Sequence, residues 1–255
     1  VILAQGNTFT NNTEYGINLW LGGILNMWCD AQLTSATTIS SNTKGSIQVS
    51  DDSKAGLCNL SLSSPKNGIQ AGMGAYLNIR NITITNSQGD GISLWGAKGQ
   101  IDNATITGSS NAGIRINNGF LSIRNSTISG STKGGISSHQ QSAINLSGGV
   151  IIENNGYGIG MHNSTLFQYD VTSTSYIRNN TAGYEISAIM SSIGLENVTV
   201  GGTSGSNEIS LSRGSILVIG TGTSITGTID CDGSLSTGKF IYDKISLSPT
   251  TSEDC

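Results

Sequence analysis

The sequence predicts an all-β solenoid, a stack of short parallel strands wound into coils, and three observations predict it. The first is a repeat. Asn81-Ile82-Thr83-Ile84-Thr85 leads to Gly91-Ile92, Asn103-Ala104-Thr105-Ile106-Thr107 to Gly113-Ile114, and Asn125-Ser126-Thr127-Ile128-Ser129 to Gly135-Ile136, each copy 22 residues after the last. A fixed period of that size is the mark of a solenoid. The second is alternation: Ile114-x-Ile116, Ile82-x-Ile84 and Ile47-x-Val49 place apolar residues at every second position, which is a strand period and not a helical one. The third is composition. The chain has 35 Gly, 2 Pro, 11% charged and 5% aromatic residues, a polarity that only a thin apolar interior per coil can reconcile with folding.

The elements follow in order. Aligning each coil on an apolar residue after a small or polar one gives Ile17, Ile47, Ile69, Ile92, Ile114, Ile136, Ile159, Ile186 and Ile209, at intervals of 30, 22, 23, 22, 22, 23, 27 and 23 residues. The two long intervals are expected as loops bulging from otherwise equal coils. Within a coil one strand begins at the aligned Ile (Ile92-Ser93-Leu94), a second is of the type Leu77-Asn78-Ile79 or Leu121-Ser122-Ile123, and a third is the Ile-Thr-Ile type. Stacking places equivalent strands about 4.8 Å apart in three parallel sheets. About ten coils of 22–23 residues are expected, with residues 1–226 as the solenoid and 227–255 as a C-terminal coil or tail pinned by a disulfide.

Asn7-Thr8-Phe9-Thr10-Asn11-Asn12 leading to Gly16-Ile17, and Ile151-Ile152-Glu153-Asn154-Asn155-Gly156-Tyr157-Gly158-Ile159, resemble the right-handed parallel β-helix repeat superfamily. It includes pectate lyases, polygalacturonases, phage tailspikes, periplasmic carbohydrate-binding proteins and many surface and adhesin-like proteins. The resemblance spans roughly residues 5 to 225 and implies the fold, while leaving function open. Enzymes of this superfamily use a Lys or Arg base with carboxylate-held calcium, or two or three close Asp. In this chain Asp51-Asp52 and Asp230-x-Asp232 are the close acidic pairs, and both fall among turn residues. The chain starts within a coil, so uncovered coil ends and end-to-end contact are expected.

A net charge of −4 without a basic stripe argues against a nucleic-acid partner, and no apolar run is long enough for a helix to span a bilayer. Cys29 and Cys58 lie early and Cys231 and Cys255 late. We expect Cys29–Cys58 and Cys231–Cys255 disulfides and hence an extracellular or cell-surface location. No Cys/His spacing fits a metal site, and no cofactor is expected.

In a solenoid, chemistry is read down columns of equivalent residues. Asn81, Asn103, Asn125 and Asn197 form one column at a strand-to-strand corner, where Asn tolerates left-handed backbone and can build a hydrogen-bonded ladder. The same residues, with Asn163 and Asn179, begin Asn-x-Ser/Thr sequons and are glycosylation candidates. Arg80, Asp102, Arg124 and Glu196 precede the ladder, where opposite charges on neighbouring coils are expected to pair weakly. The column three residues after the aligned Ile reads Trp20, Ser50, Gly72, Trp95, Asn117, His139 and His162. It is expected to face solvent, with Arg115 and Ser137 nearby, and Trp95, Asn117, His139, His162 and Arg115 form the candidate binding surface. Thr83/Thr85, Thr105/Thr107 and Thr127/Ser129 form hydroxyl rows like those of ice-binding solenoids.

These readings lead to a secreted, non-enzymatic β-solenoid acting as a structural, adhesin-like or filament-forming surface module. The partner would be a second copy or a surface glycan or protein. The alternative is a polysaccharide-binding or polysaccharide-degrading β-helix, a lyase or glycoside hydrolase. Ice binding is the third reading.

Overall fold

The computed structural model describes residues 2–3, 6–27, 29, 35–64, 66–170, 172–181, 183–202, 207–231 and 248–251. Every pairing among its strands is parallel, in one continuous network. The alignment register of the sequence is the register of the first sheet. Ile17 pairs with Ile47, then Ile69, Ile92, Ile114, Ile136, Ile159, Ile186 and Ile209 in turn, and the row continues to Ile229. The second and third sheets come from the two halves of long strands such as Tyr76–Thr85 and Lys98–Thr107. About eight full turns are present, slightly fewer than the ten expected.

Alternation explains the packing. Ile82, Ile84, Ile106 and Ile128 are at most 2% exposed, as are Ile92, Leu94, Ile114 and Ile116. Each coil thus contributes a few apolar side chains to one continuous core. At about 1.5–3 kcal/mol per buried aliphatic side chain, that core supplies the stability that so polar a composition otherwise lacks. A narrow column of small residues lets the coil close: Gly68, Gly91, Gly113, Gly135 and Gly158 each precede the aligned Ile. A Cβ at Gly113 would lie 2.4 Å from Ile128 Cγ2 and 2.9 Å from the Gly135 carbonyl oxygen, so no larger residue fits there. In the coils of Ile186 and Ile209 this column holds Glu185 and Glu208 instead.

The three corners of each coil use left-handed backbone. Asn59, Asn81, Asn103 and Asn125 adopt φ of 52°, 52°, 54° and 49° at one corner, and Met73, Asn118, Asn163 and Met190 adopt 51°, 49°, 50° and 49° at another. Asn103 Nδ2 donates to Asn81 Oδ1 at 2.8 Å, the expected ladder contact. The next rung differs, since Asn125 Nδ2 donates to Asp102 Oδ1 at 3.0 Å. The expected ion ladder through Arg80, Asp102, Arg124 and Glu196 is corrected by this contact. Arg80 and Arg124 do flank Asp102 in register, but among the described residues the ion pairs are Lys44–Glu14, Arg115–Asp90 and Arg178–Glu153. A short neutral amide reaches Asp102 without ordering a long side chain, which costs less entropy.

Cys29 and Cys58 are disulfide-bonded across neighbouring coils, with their Cα atoms 5.4 Å apart, as the spacing predicts. Cys231 is also disulfide-bonded; Cys255, its expected partner, lies outside the described residues, as does most of the expected tail. The Cys29–Cys58 bridge closes a separation of 29 residues, and for a loop of that length removal costs about 3–4 kcal/mol. A Cys29→Ala/Cys58→Ala variant is therefore expected to unfold at clearly lower denaturant concentration. An unchanged midpoint would mean that the bridge constrains nothing in the unfolded chain.

Candidate functional site

The outward face of the first sheet carries most of the chemistry. In register along it stand Gly72, Trp95, Asn117, His139 and His162, which confirms the column. Exposure within the column is uneven. Trp95 is 51% exposed and Trp20 62%, whereas Asn117 is only 6% exposed. The expectation of a solvent-facing Asn117 is thus corrected: it lies in register between the bulkier Trp95 and His139, so pointing outward does not make it accessible. Its Nδ2 is buried and without a partner.

His139 and His162 are half-buried on adjacent coils, their ring centroids 6.3 Å apart. Ser137 Oγ lies 2.9 Å from His139 Nε2. Burial, then the Arg115 guanidinium, then His162 hold the His139 pKa below its ordinary value. Arg115 is itself committed, its Nε donating to Asp90 Oδ2 at 2.9 Å. Asp90 also accepts from the Ala112 amide at 3.1 Å. In this half of the column Arg115, Asp90, Ser137 and His139 are thus engaged in hydrogen bonds, while Asn117 Nδ2 is not.

The opening lies on the other side of Trp95. A trough of about 400 Å³ is bounded by Trp20 and Trp95 and floored by Gln48, Ser50, Gln70 and Gly72, with Met73 and Asp51 at its rim. The two indoles stand three coils apart in one column, about 14 Å at 4.8 Å per coil. Small residues at positions 50 and 72 keep the floor low between them. Trp95 Nε1 donates to Ser93 Oγ at 3.0 Å, which fixes the ring edge and leaves its face open. The Gln70 amide accepts from Tyr15 Oη at 3.4 Å. The sequence held the signal for this trough, since Trp20, Ser50 and Gly72 are members of the same column; what it lacked was the depth that two small residues produce.

Asp51 and Asp52 are consecutive left-handed corner residues, with φ of 54° and 58°. Asp230 Oδ2 accepts from Tyr184 Oη at 2.9 Å, and Asp232 lies outside the described residues. No group of three or more His, Cys, Asp and Glu that could hold a metal ion occurs among the described residues. All six sequon asparagines, Asn81, Asn103, Asn125, Asn163, Asn179 and Asn197, occupy left-handed corners. The amide nitrogens of Asn103, Asn125 and Asn197 donate hydrogen bonds, and a glycan there would replace those contacts.

Sequence reasoning missed Glu185 and Glu208, both at most 1% exposed. Glu185 accepts from the backbone amide of Asn180 at 3.1 Å and from its side-chain nitrogen. Glu208 has a buried Oε2 without a partner. Burial, then the neighbouring Glu185, push the Glu208 pKa up to about 7, and burial raises that of Glu185.

Among curated proteins none matches the sequence. Solved structures similar to this one include PfbA, a surface adhesin of Streptococcus pneumoniae, at 9% identity and a TM-score of 0.37, covering 98% of this chain and 83% of that one. Endopolygalacturonase I from Stereum purpureum is similar at 15% identity and a TM-score of 0.33, covering 99% of this chain and 92% of that one. Neither likeness bears on what this chain binds. The family described as "Right handed beta helix region" matches residues 22–229, which span nearly every described coil, and the chain belongs to that family.

Proposed function

We propose that this protein is a secreted, non-enzymatic surface module that holds a neutral saccharide chain along the first sheet, between Trp20 and Trp95. The observation that carries this reading is the pair of exposed indoles flanking a shallow trough floored by Gln48 and Gln70. Indole faces stack on the C–H faces of sugar rings, and amides supply both donors and acceptors for hydroxyls. A short oligosaccharide would lie along the coil axis. Asp51 is the carboxylate lining the trough, and one carboxylate cannot perform the two-carboxylate chemistry of a glycosidase. It also disfavours an acidic polysaccharide by like-charge repulsion. The disulfides support a location outside the cytoplasm.

The test is an array of neutral and uronate-containing oligosaccharides, followed by titration of the bound class. Trp20→Ala or Trp95→Ala is expected to weaken binding about tenfold or more, the loss of roughly 1.4 kcal/mol of stacking, with unfolding unchanged. Preference for uronates, release of cleaved product, or unaltered affinity in both variants would each overturn the proposal.

A further inference from the structure

Over six coils, the outward positions of the third sheet are all Thr or Ser. The rows that begin at Thr83/Thr85 continue in the direction of the N-terminus through Ser61/Ser63 and Thr38/Ser40 to Thr8/Thr10, and in the other direction through Thr105/Thr107 to Thr127/Ser129. Six consecutive coils thus contribute two outward residues each, and all twelve are Thr or Ser. The sequence pattern shows three of these rows. The structure doubles them, because the observed register brings Thr8-Phe9-Thr10, Thr38-Ile39-Ser40 and Ser61-Leu62-Ser63 into line with the Ile-Thr-Ile repeats.

Three properties make this strip unusual for a protein surface. It carries no charge over its whole length and ends where Ile151/Glu153 and Tyr176/Arg178 take over, with Arg178 paired to Glu153 at 2.9 Å. Its hydroxyls form no side-chain hydrogen bonds with described residues. Its geometry is fixed from below, since the intervening Ile39, Leu62, Ile84, Ile106 and Ile128 are buried in the core. Eight of the twelve positions are Thr, whose branched Cβ restricts χ1 in a strand.

The rows therefore form a lattice of rigid, unpaired hydroxyls repeating at about 4.8 Å along the stack and about 6.7 Å across it, for about 24 Å. A ligand that satisfies such a surface must itself be periodic, uncharged, and able to donate and accept at every repeat. The strip has no aromatic residue to stack a sugar, so its demands differ from those of the Trp20–Trp95 trough. We propose that this face binds ordered water as an ice surface, a property independent of the saccharide reading.

The experiment is to hold a seed ice crystal in a solution of the disulfide-intact protein and cool it slowly. The expected result is arrested growth with faceting and a freezing point below the melting point. A Thr83→Lys/Thr105→Lys variant is expected to lose most of that gap while unfolding at the wild-type temperature. Ser122→Lys, on the neighbouring sheet, is expected to keep it. Should the double lysine variant fail to fold, Thr105→Leu replaces it and is expected to lose most of the gap. Ice growing in wild-type protein as it does in buffer, or a full gap in a folded strip variant, overturns the proposal.

Discussion

Ile106→Asp is expected to destroy the fold, and Thr105→Lys to leave its stability almost untouched, although the two residues are neighbours. Ile106 is 0% exposed and stacks in register between Ile84 and Ile128. Replacing it removes about 1.5–3 kcal/mol of burial and places an unpaired carboxylate in an interior without compensating charge, at a further cost of several kcal/mol. The sum rivals the whole stability of a typical domain, about 5–15 kcal/mol. Thr105 is exposed, and a surface substitution of that kind is worth about 0.5 kcal/mol or less. Circular dichroism during thermal unfolding separates the cases, and equal losses in both variants would mean that the strand faces are reversed.

Glu208→Gln is expected to stabilise the protein at neutral pH and to flatten its pH dependence. The Glu208 carboxyl is buried beside Glu185, with Gly201 and Gly227 making room for it; a Cβ at Gly227 would stand 2.5 Å from Glu208 Cγ. Its pKa is raised to about 7, so between its ordinary value and 7 the folded state holds a proton that the unfolded chain has released. Stability is then fully retained below about pH 4.5 and is lost progressively as the pH rises to 7. A shift of that size corresponds to about 3 kcal/mol. Glu185, also raised, adds a loss of the same sign. His139 acts in the opposite sense at the acid end: its lowered pKa removes stability as the pH falls below about 6.5. Denaturant midpoints measured from pH 4.5 to 8 should decline in the wild type and decline less steeply in Glu208→Gln, where Glu185 remains. Parallel declines would place the pH sensitivity elsewhere.

The fold was legible because a solenoid writes its register into the sequence. Ile17 to Ile209 recur at near-constant intervals, and that register sets Cys29 beside Cys58 on adjacent coils. What alternation cannot show is how deeply an outward residue is covered. Asn117 and Trp95 share a column, yet the size of their neighbours leaves one buried and the other half exposed. The trough depends on what is missing at Ser50 and Gly72. The long interval before Ile47 takes the Thr8 row out of the 22-residue period, and serine at positions 40, 61 and 63 blurs the threonine pattern of the next two rows. The charge column failed for another reason: register brought Asp102 beside Arg80 and Arg124, but Asn125 was the neighbour that reached it. Glu185 and Glu208 occupy a glycine column, a break in pattern visible in the sequence whose consequence depends on the space left by Gly201 and Gly227.

The claim that Trp20 and Trp95 together hold the ligand is tested most directly by indole fluorescence. The chain has 3 Trp, so a Trp28→Phe background leaves only these two as emitters. Titration with the saccharide selected on the array is predicted to shift the emission in this background. It should also shift, with weakened affinity, when either Trp20 or Trp95 is the sole remaining indole. Saccharide binding that leaves the emission of both indoles unchanged would contradict the account.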